Sequence, residues 1–203
     1  DSGCESPQHV EEASAERVVE HFRGLRARVV TFAGYSGAGY QNPATMLAHA
    51  ARTLDALDPR QTIVNAGATA EGIGAVYRLA KQRGFRTAGI VSTQARQQSV
   101  ALSPCVDLVF YVVDETWGGL LPGDSRLSPT SEAMVRVSDA LIAIGGGEVA
   151  RDELLAARQL GKPVEFVPAD MDHALAREKA VAKGLPPPAD FRGAAHAALL
   201  PGR

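Results

Sequence analysis

No stretch of the chain approaches the roughly 18 consecutive apolar residues that crossing a bilayer requires, so a membrane-spanning role is excluded. A basic surplus is also missing: 21 Lys and Arg stand against 23 Asp and Glu in 203 residues, a net charge of −2. Proteins that bind nucleic acid through its phosphates carry the opposite balance, and no nucleic-acid partner is expected. Only two cysteines occur, Cys4 and Cys105, in no metal-ligand spacing. A disulfide between them requires export to an oxidising compartment. The chain starts at Asp1 rather than Met, as expected of a processed or truncated N-terminus, and nothing in it resembles an apolar signal core. Base rates then favour the cytoplasm.

Catalytic signatures are equally sparse. His9, His21, His49, His173 and His196 are scattered with no pair at metal spacing, so neither a metal site nor a cofactor is expected. There is no G-x-S-x-G serine elbow, no G-x-x-x-x-G-K-[ST] phosphate loop and no G-x-G-x-x-G dinucleotide fingerprint. Serine hydrolysis at Ser36 or Ser92, ATP hydrolysis of the common kind and hydride transfer all lose ground. Cys105, beside Pro104 with no activating base in the sequence around it, reads as a small buried residue rather than a nucleophile.

Glycine is what the chain has in excess, 20 residues, against the roughly 7% of average usage. The glycines gather at three places, each directly after an apolar run: Gly34, Gly37 and Gly39; Gly67, Gly72 and Gly74; Gly145, Gly146 and Gly147. Strands are expected at Arg28–Ala33, Thr62–Asn65, Thr87–Val91, Asp107–Val113, Ala140–Ile144 and Pro163–Val167. Helical periods lie between them, with Asn42-Pro43 and Ser128-Pro129 as cap-plus-proline starts. Near-continuous apolar strands alternating with helices predict a doubly wound, Rossmann-like α/β fold, its parallel sheet covered on both faces. Residues 28–170 form that domain. Residues 1–27, with an amphipathic stretch at Glu11–Arg23, are expected as a peripheral segment or helix, and residues 171–203 as a helical tail. Asp114–Arg126 reads as a long loop, of the kind that is often functional.

In such sheets ligands bind beyond the carboxyl ends of the strands. All three glycine clusters fall at those ends, where bare backbone N–H groups of the following helices favour an anion. The expected ligand is a nucleotide or another phosphorylated small molecule. Candidate binding residues are Gly34, Tyr35, Ser36 and Gly37 on the first loop, with Gly67, Ala68, Thr69 and Gly72 on the second. The third loop adds Gly145, Gly146, Gly147, Glu148, Val149 and Ala150. Tyr35 and Tyr40 are candidates for stacking on a base, although one is expected to pack against the sheet. Trp117 is a candidate lid, oligomer contact or packing anchor, and Asp139 a structural cap.

The ordered trio Gly34-Tyr-Ser-Gly-Ala, Asn65-Ala-Gly-Ala-Thr-Ala-Glu-Gly-Ile-Gly-Ala-Val76 and Ser138-Asp-Ala-Leu-Ile-Ala-Ile-Gly-Gly-Gly-Glu-Val-Ala-Arg-Asp-Glu153 resembles the LOG family. These are the "lysine decarboxylase-like" Rossmannoid proteins of the SMF/DprA–LOG superfamily, and the resemblance spans about residues 28–167. It implies a homodimer and a phosphoribohydrolase that cuts the N-glycosidic bond of a nucleoside 5′-monophosphate. It also implies that a P-G-G-x-G-T-x-x-E loop holds the phosphate, while its glutamate works beside an arginine. By position, Gly145 replaces the proline, Gly146 and Gly147 match the two glycines, Val149 replaces the third glycine, and Ala150 replaces the threonine. Glu153 matches the glutamate and is the candidate catalytic residue. The family's Arg-Lys pair falls on Thr130 and Ser131, so Arg96, Arg126, Arg136 or Arg151 would have to supply a guanidinium from elsewhere. Three readings follow: a nucleotide binder with an altered catalytic set, an active phosphoribohydrolase, and a dimeric scaffold whose glycine loops are only turns.

Overall fold

The computed structural model describes residues 4, 5 and 7–200. Seven strands, β1 (His9–Ala13), β2 (Arg28–Gly34), β3 (Thr62–Ala66), β4 (Arg86–Ser92), β5 (Leu108–Val112), β6 (Ala140–Ile144) and β7 (Val164–Val167), form one sheet. Its order is β1-β5-β4-β3-β2-β6-β7 and every pairing is parallel. The helices are α1 (Ala15–Leu25), α2 (Pro43–Asp55), α3 (Val76–Gln82), α4 (Gln94–Gln97), α5 (Pro129–Val137), α6 (Glu148–Gln159), α7 (His173–Ala182) and α8 (Ala194–Leu199). This is the α/β, Rossmann-like architecture that the alternation of apolar strands and helices predicts. None of the described helices is long and apolar enough to cross a membrane.

Burial explains the strand patterns. Every residue of β3, β5 and β6 is buried, whereas the edge strands β1 and β7 alternate or stay half-exposed. Inner strands covered by helices on both faces need apolar side chains on both, and edge strands do not. One face packs against α2 and α3 through Met46, Leu54, Val76 and Tyr77; the other packs against α1, α5 and α6 through Val18, Phe22, Met134 and Leu154. The capping signals hold: Asn42 Oδ1 accepts the Thr45 N–H at 3.1 Å, and the Ser128 side chain caps α5.

Two departures concern the N-terminal segment. Residues before Arg28 contribute more than a peripheral helix, because His9–Ala13 pairs with β5 as an edge strand before α1 begins at Ala15. The sequence His-Val-Glu-Glu-Ala carries little strand preference of its own, and the exposed edge of β5 recruits it. Cys4 and Cys105 form a disulfide across a sequence separation of 101. That bond stands against the cytoplasmic expectation, since the cytosol keeps thiols reduced. Cys105 is buried, as its reading as a small buried residue expects, and is half of this cross-link.

Asp139 has the structural role expected of it. Its Oδ2 accepts the Val29 N–H at 2.7 Å, while its own N–H donates to the Val29 carbonyl at 2.8 Å, fastening β6 to β2 at their entry. Asp139→Ala is expected to lower stability by about 1 kcal/mol, since the side chain is exposed and only one bond is lost. A urea midpoint unchanged from the parent would contradict that role.

Candidate functional site

The sheet order places β3, β4 and β5 on one side of β2, and β6 and β7 on the other. The winding therefore reverses between β2 and β6, and the crevice at their carboxyl ends is where such sheets accept ligands. A cavity of about 570 Å³ opens there. All three glycine loops reach it: Gly34, Tyr35, Ser36 and Gly37 from the first, Gly67 and Thr69 from the second, Gly147, Glu148, Val149 and Ala150 from the third. Glu153, one helical turn further along α6, lines it too. Three corners far apart in the chain thus share one space.

Four of the expected residues stay outside it. Gly145 and Gly146 turn away from the cavity, and Gly146 offers its carbonyl to the Ala195 N–H at 3.1 Å. The C-terminal helix α8 therefore props the triplet from behind. Ala68 is fully buried and braces β4 and Tyr77, its N–H donating to the Tyr77 hydroxyl at 3.1 Å. Gly72 joins the first two loops. At φ +60° a side chain there is strained, and an ideal Cβ would lie 2.1 Å from the Tyr35 carbonyl oxygen.

The tyrosines are also reassigned. Tyr35 and Tyr40 are 3% and 5% exposed, packed edge to face below the loop. The Tyr40 hydroxyl accepts the Tyr35 N–H at 3.2 Å and donates to the Ile144 carbonyl at 2.6 Å, tying the end of β6 to the first loop. The Tyr35 hydroxyl sits 2.8 Å from the carbonyls of both Ala169 and Arg192. Both rings hold the loop in shape, and neither is free to stack on a base. Trp117 instead supplies the one indole at the cavity, 42% exposed.

The chemistry of the wall is unusual for an anion site. Its floor is apolar, with Phe32, Ile73, Val91 and Met134, and its charged side chains are Glu71, Glu148 and Glu153. Among the described residues, no lysine, arginine or histidine lines it. Arg96 is engaged by Glu12 and lies over the Tyr111 ring, Arg126 pairs with Asp124, Arg136 with Glu16, and Arg151 with Asp152. None of the four supplies the missing guanidinium. What favours negative charge is the start of α6, where Gly147 is the N-cap and no side chain caps the first N–H groups.

Glu153 is buried, and its Oε2 accepts a hydrogen bond of 2.8 Å from the Ser131 hydroxyl. Ser131 in turn accepts the Gly119 N–H at 2.7 Å, so the long loop after β5 is stitched to this pair. The loop is further fixed by the Leu120 N–H on Asp152 Oδ2 at 3.0 Å, and by the Thr116 and Thr130 N–H groups on Asp114. Burial pushes the Glu153 carboxyl up to about 7, the Asp152 charge adds to the rise, and the Ser131 bond opposes it. The carboxyl therefore exchanges its proton near neutral pH and is able to donate or accept one. Ser92 lines the cavity but its hydroxyl donates to the Thr116 carbonyl at 2.5 Å, and no basic side chain is bonded to it.

Among solved structures, the chain is similar to the Moco carrier protein from Chlamydomonas reinhardtii, at 17% identity and a TM-score of 0.50 over 78% of this chain and 86% of that one. That likeness shows the α/β, Rossmann-like fold of this chain. Two further structures align with it. The structural-genomics target TM1055 does so at 24% identity and TM-score 0.47, over 68% of this chain and 72% of the target. DNA processing protein A from Streptococcus pneumoniae does so at 13% identity and TM-score 0.45, over 83% of this chain and 58% of that one. No protein-family model matches the chain, and no curated protein does. At the positions where the LOG resemblance places an arginine and a lysine, Thr130 borders the cavity and Ser131 holds the glutamate. A neutral hydroxyl thus stands at the carboxylate.

Proposed function

We propose that the protein binds a nucleotide or another phosphorylated heterocycle in the cavity between β2 and β6, and holds it rather than turning it over. The observation that carries this reading is the meeting of the three glycine loops on one largely apolar cavity beside the uncapped start of α6. In this arrangement the phosphate lies against the backbone N–H groups of Val149 and Ala150, where the helix dipole is favourable. The base rests on the apolar floor near Trp117. Ribose hydroxyls face Glu153, which accepts hydrogen bonds when ionised and donates one when protonated.

The preference for binding over hydrolysis comes from what surrounds Glu153. Cleavage of the N-glycosidic bond develops positive charge on the sugar and negative charge on the leaving base, and the implied mechanism uses a guanidinium beside the ribose. Here Thr130 and Ser131 occupy those positions, and neither replaces a bidentate cation. The phosphoribohydrolase reading retains one supporting observation, a buried acid that titrates near neutral pH at the cavity wall. A homodimer, implied by the same resemblance, is part of the proposal and is read by light scattering. The disulfide supports residence in an oxidising compartment rather than the cytoplasm.

Trp117, the single tryptophan, is the natural reporter. Titration with adenosine, guanosine and cytidine monophosphates, their nucleosides and a phosphorylated pterin is expected to change its fluorescence for at least one phosphorylated ligand. At 100 times its dissociation constant that ligand adds about 2.7 kcal/mol of stability. Chromatography of the same mixtures for free base separates holding from turnover. No response to any phosphorylated ligand would favour the scaffold reading.

Val149→Asp is the sharper test. An acid in the first turn suits the helix, so the fold is retained, but it places a negative charge where the phosphate is expected. Affinity for the phosphorylated ligand is expected to fall by about tenfold, roughly 1.4 kcal/mol, with the parent nucleoside unaffected. An equal loss for both would remove the phosphate from α6.

A further inference from the structure

The edge of the sheet away from the cavity carries a second constellation. His9 and Glu11 alternate onto one face of β1, two residues apart, and α1 returns across that face carrying His21. The His9 and His21 rings lie 4.9 Å apart, and both rest against Phe110, at 5.5 and 4.9 Å. His9 Nε2 is 2.9 Å from Glu11 Oε2. One ligand atom from each of His9, Glu11 and His21 lies within 4.8 Å of the other two. No such group is evident from spacing along the chain, because strand alternation and helix docking together create it.

We propose that His9, Glu11 and His21 form a binding site for a divalent transition cation of the zinc class, which clips the edge strand β1 to α1. Two imidazoles and a carboxylate are a donor set for Zn²⁺, Co²⁺, Ni²⁺ or Cu²⁺ rather than Mg²⁺ or Ca²⁺, which prefer oxygen alone. Ligands on one such ion sit at most roughly 4 Å apart, given bonds of about 2.0–2.2 Å. The observed spread closes to that by small side-chain rotations. All three residues are half-buried, so the cation reaches them from solvent and a water completes the tetrahedron. The outer support is in place as well. Arg17 Nε donates to Glu11 Oε1 at 3.0 Å, which orients the carboxylate and leaves Oε2 turned toward His9.

The plain alternative is a histidine–glutamate–arginine surface cluster with no affinity for metal, and calorimetry distinguishes the two. Metal-free protein with its disulfide intact is titrated with Zn²⁺ and, separately, with Mg²⁺. One equivalent of Zn²⁺ is expected to bind saturably and raise the melting temperature, with no response to Mg²⁺. His21→Ala and His9→Ala are each expected to weaken Zn²⁺ binding by more than about tenfold, whereas His173→Ala leaves it unchanged. Should the β1 or α1 variants fold poorly, histidine side-chain NMR on the unmodified protein still decides, since Zn²⁺ must shift the resonances of His9 and His21. Shifts confined to His49, His173 or His196, binding that survives loss of both His9 and His21, or no saturable binding at all would each overturn the proposal.

Discussion

Replacing Glu153 by glutamine is expected to stabilise the protein by about 3 kcal/mol at pH 8 and to leave it unchanged at pH 4. The carboxyl has an ordinary value of 4.5 and is pushed up to about 7 in the folded chain, chiefly by burial. Below 4.5 both folded and unfolded states hold the proton, and the group contributes nothing. Between 4.5 and about 7 the unfolded chain gives up its proton first, so stability falls as pH rises. Above about 7 both states are ionised and the full penalty remains; at roughly 1.4 kcal/mol per pH unit it amounts to about 3 kcal/mol. Glutamine retains a carbonyl for the Ser131 hydroxyl and has no proton to lose. Urea unfolding of both proteins from pH 4 to 8 reads the effect directly, and parallel stability curves would show that Glu153 is not held in a low-dielectric wall.

A wall residue that destabilises its own fold at neutral pH has the character of a functional group rather than a packing group. The fold has cheaper ways to fill that position. An apolar residue beside Met134 and Ala150 would need neither Ser131 nor the Gly119 N–H behind it. The same variant therefore carries a second readout: if Glu153 meets the ligand, the pH dependence of binding near 7 disappears together with the slope in stability.

The parts of this molecule that depend on local pattern are legible in the sequence, and the parts that depend on docking are not. The buried strands announce themselves as continuous apolar runs, and the glycine clusters mark the carboxyl ends that become the cavity rim. The strand His9–Ala13 does not, because Val10 and Ala13 are its only apolar residues and its pairing is supplied entirely by β5. The direction of a side chain at a strand end is equally hidden. Tyr35 and Tyr40 read as candidate ligand contacts with one of them packed against the sheet, yet two carbonyls from the C-terminal half and one from the end of β6 draw both hydroxyls inward. Ser131 and Glu153 lie 22 residues apart on separate helices, and only the packing of α5 against α6 makes them a pair. His9 and His21 illustrate the same limit at the other edge.

Reduction of the Cys4–Cys105 bond is expected to lower stability by about 3–5 kcal/mol, because the cross-link closes a loop of some 100 residues in the unfolded chain. Its effect should reach the cavity. The segment just before Cys105 braces the second glycine loop: the Ala70 N–H donates to the Ala101 carbonyl at 3.1 Å, and the Ser103 N–H donates to the Ala68 carbonyl at 2.9 Å. Cys105 is itself held by the Thr87 hydroxyl on its carbonyl at 2.6 Å and by its N–H on Ser103 Oγ at 3.2 Å. With the N-terminal tether gone, these bonds no longer share the anchor at Cys4, and hydrogen exchange at Ala70 and Ser103 should speed up more than at β6. The Cys4→Ser/Cys105→Ser protein should match the reduced parent in both stability and exchange. Identical unfolding midpoints for the oxidised and reduced proteins would mean that the bond contributes nothing to the fold. Slower exchange at β6 than at Ala70 in the oxidised protein, with no further change on reduction, would separate the disulfide from the cavity wall. The physical link is short: one covalent bond holds the segment on which Thr69 and Gly67 rest, so the redox state of the compartment bears on the shape of the pocket as well as on the stability of the chain.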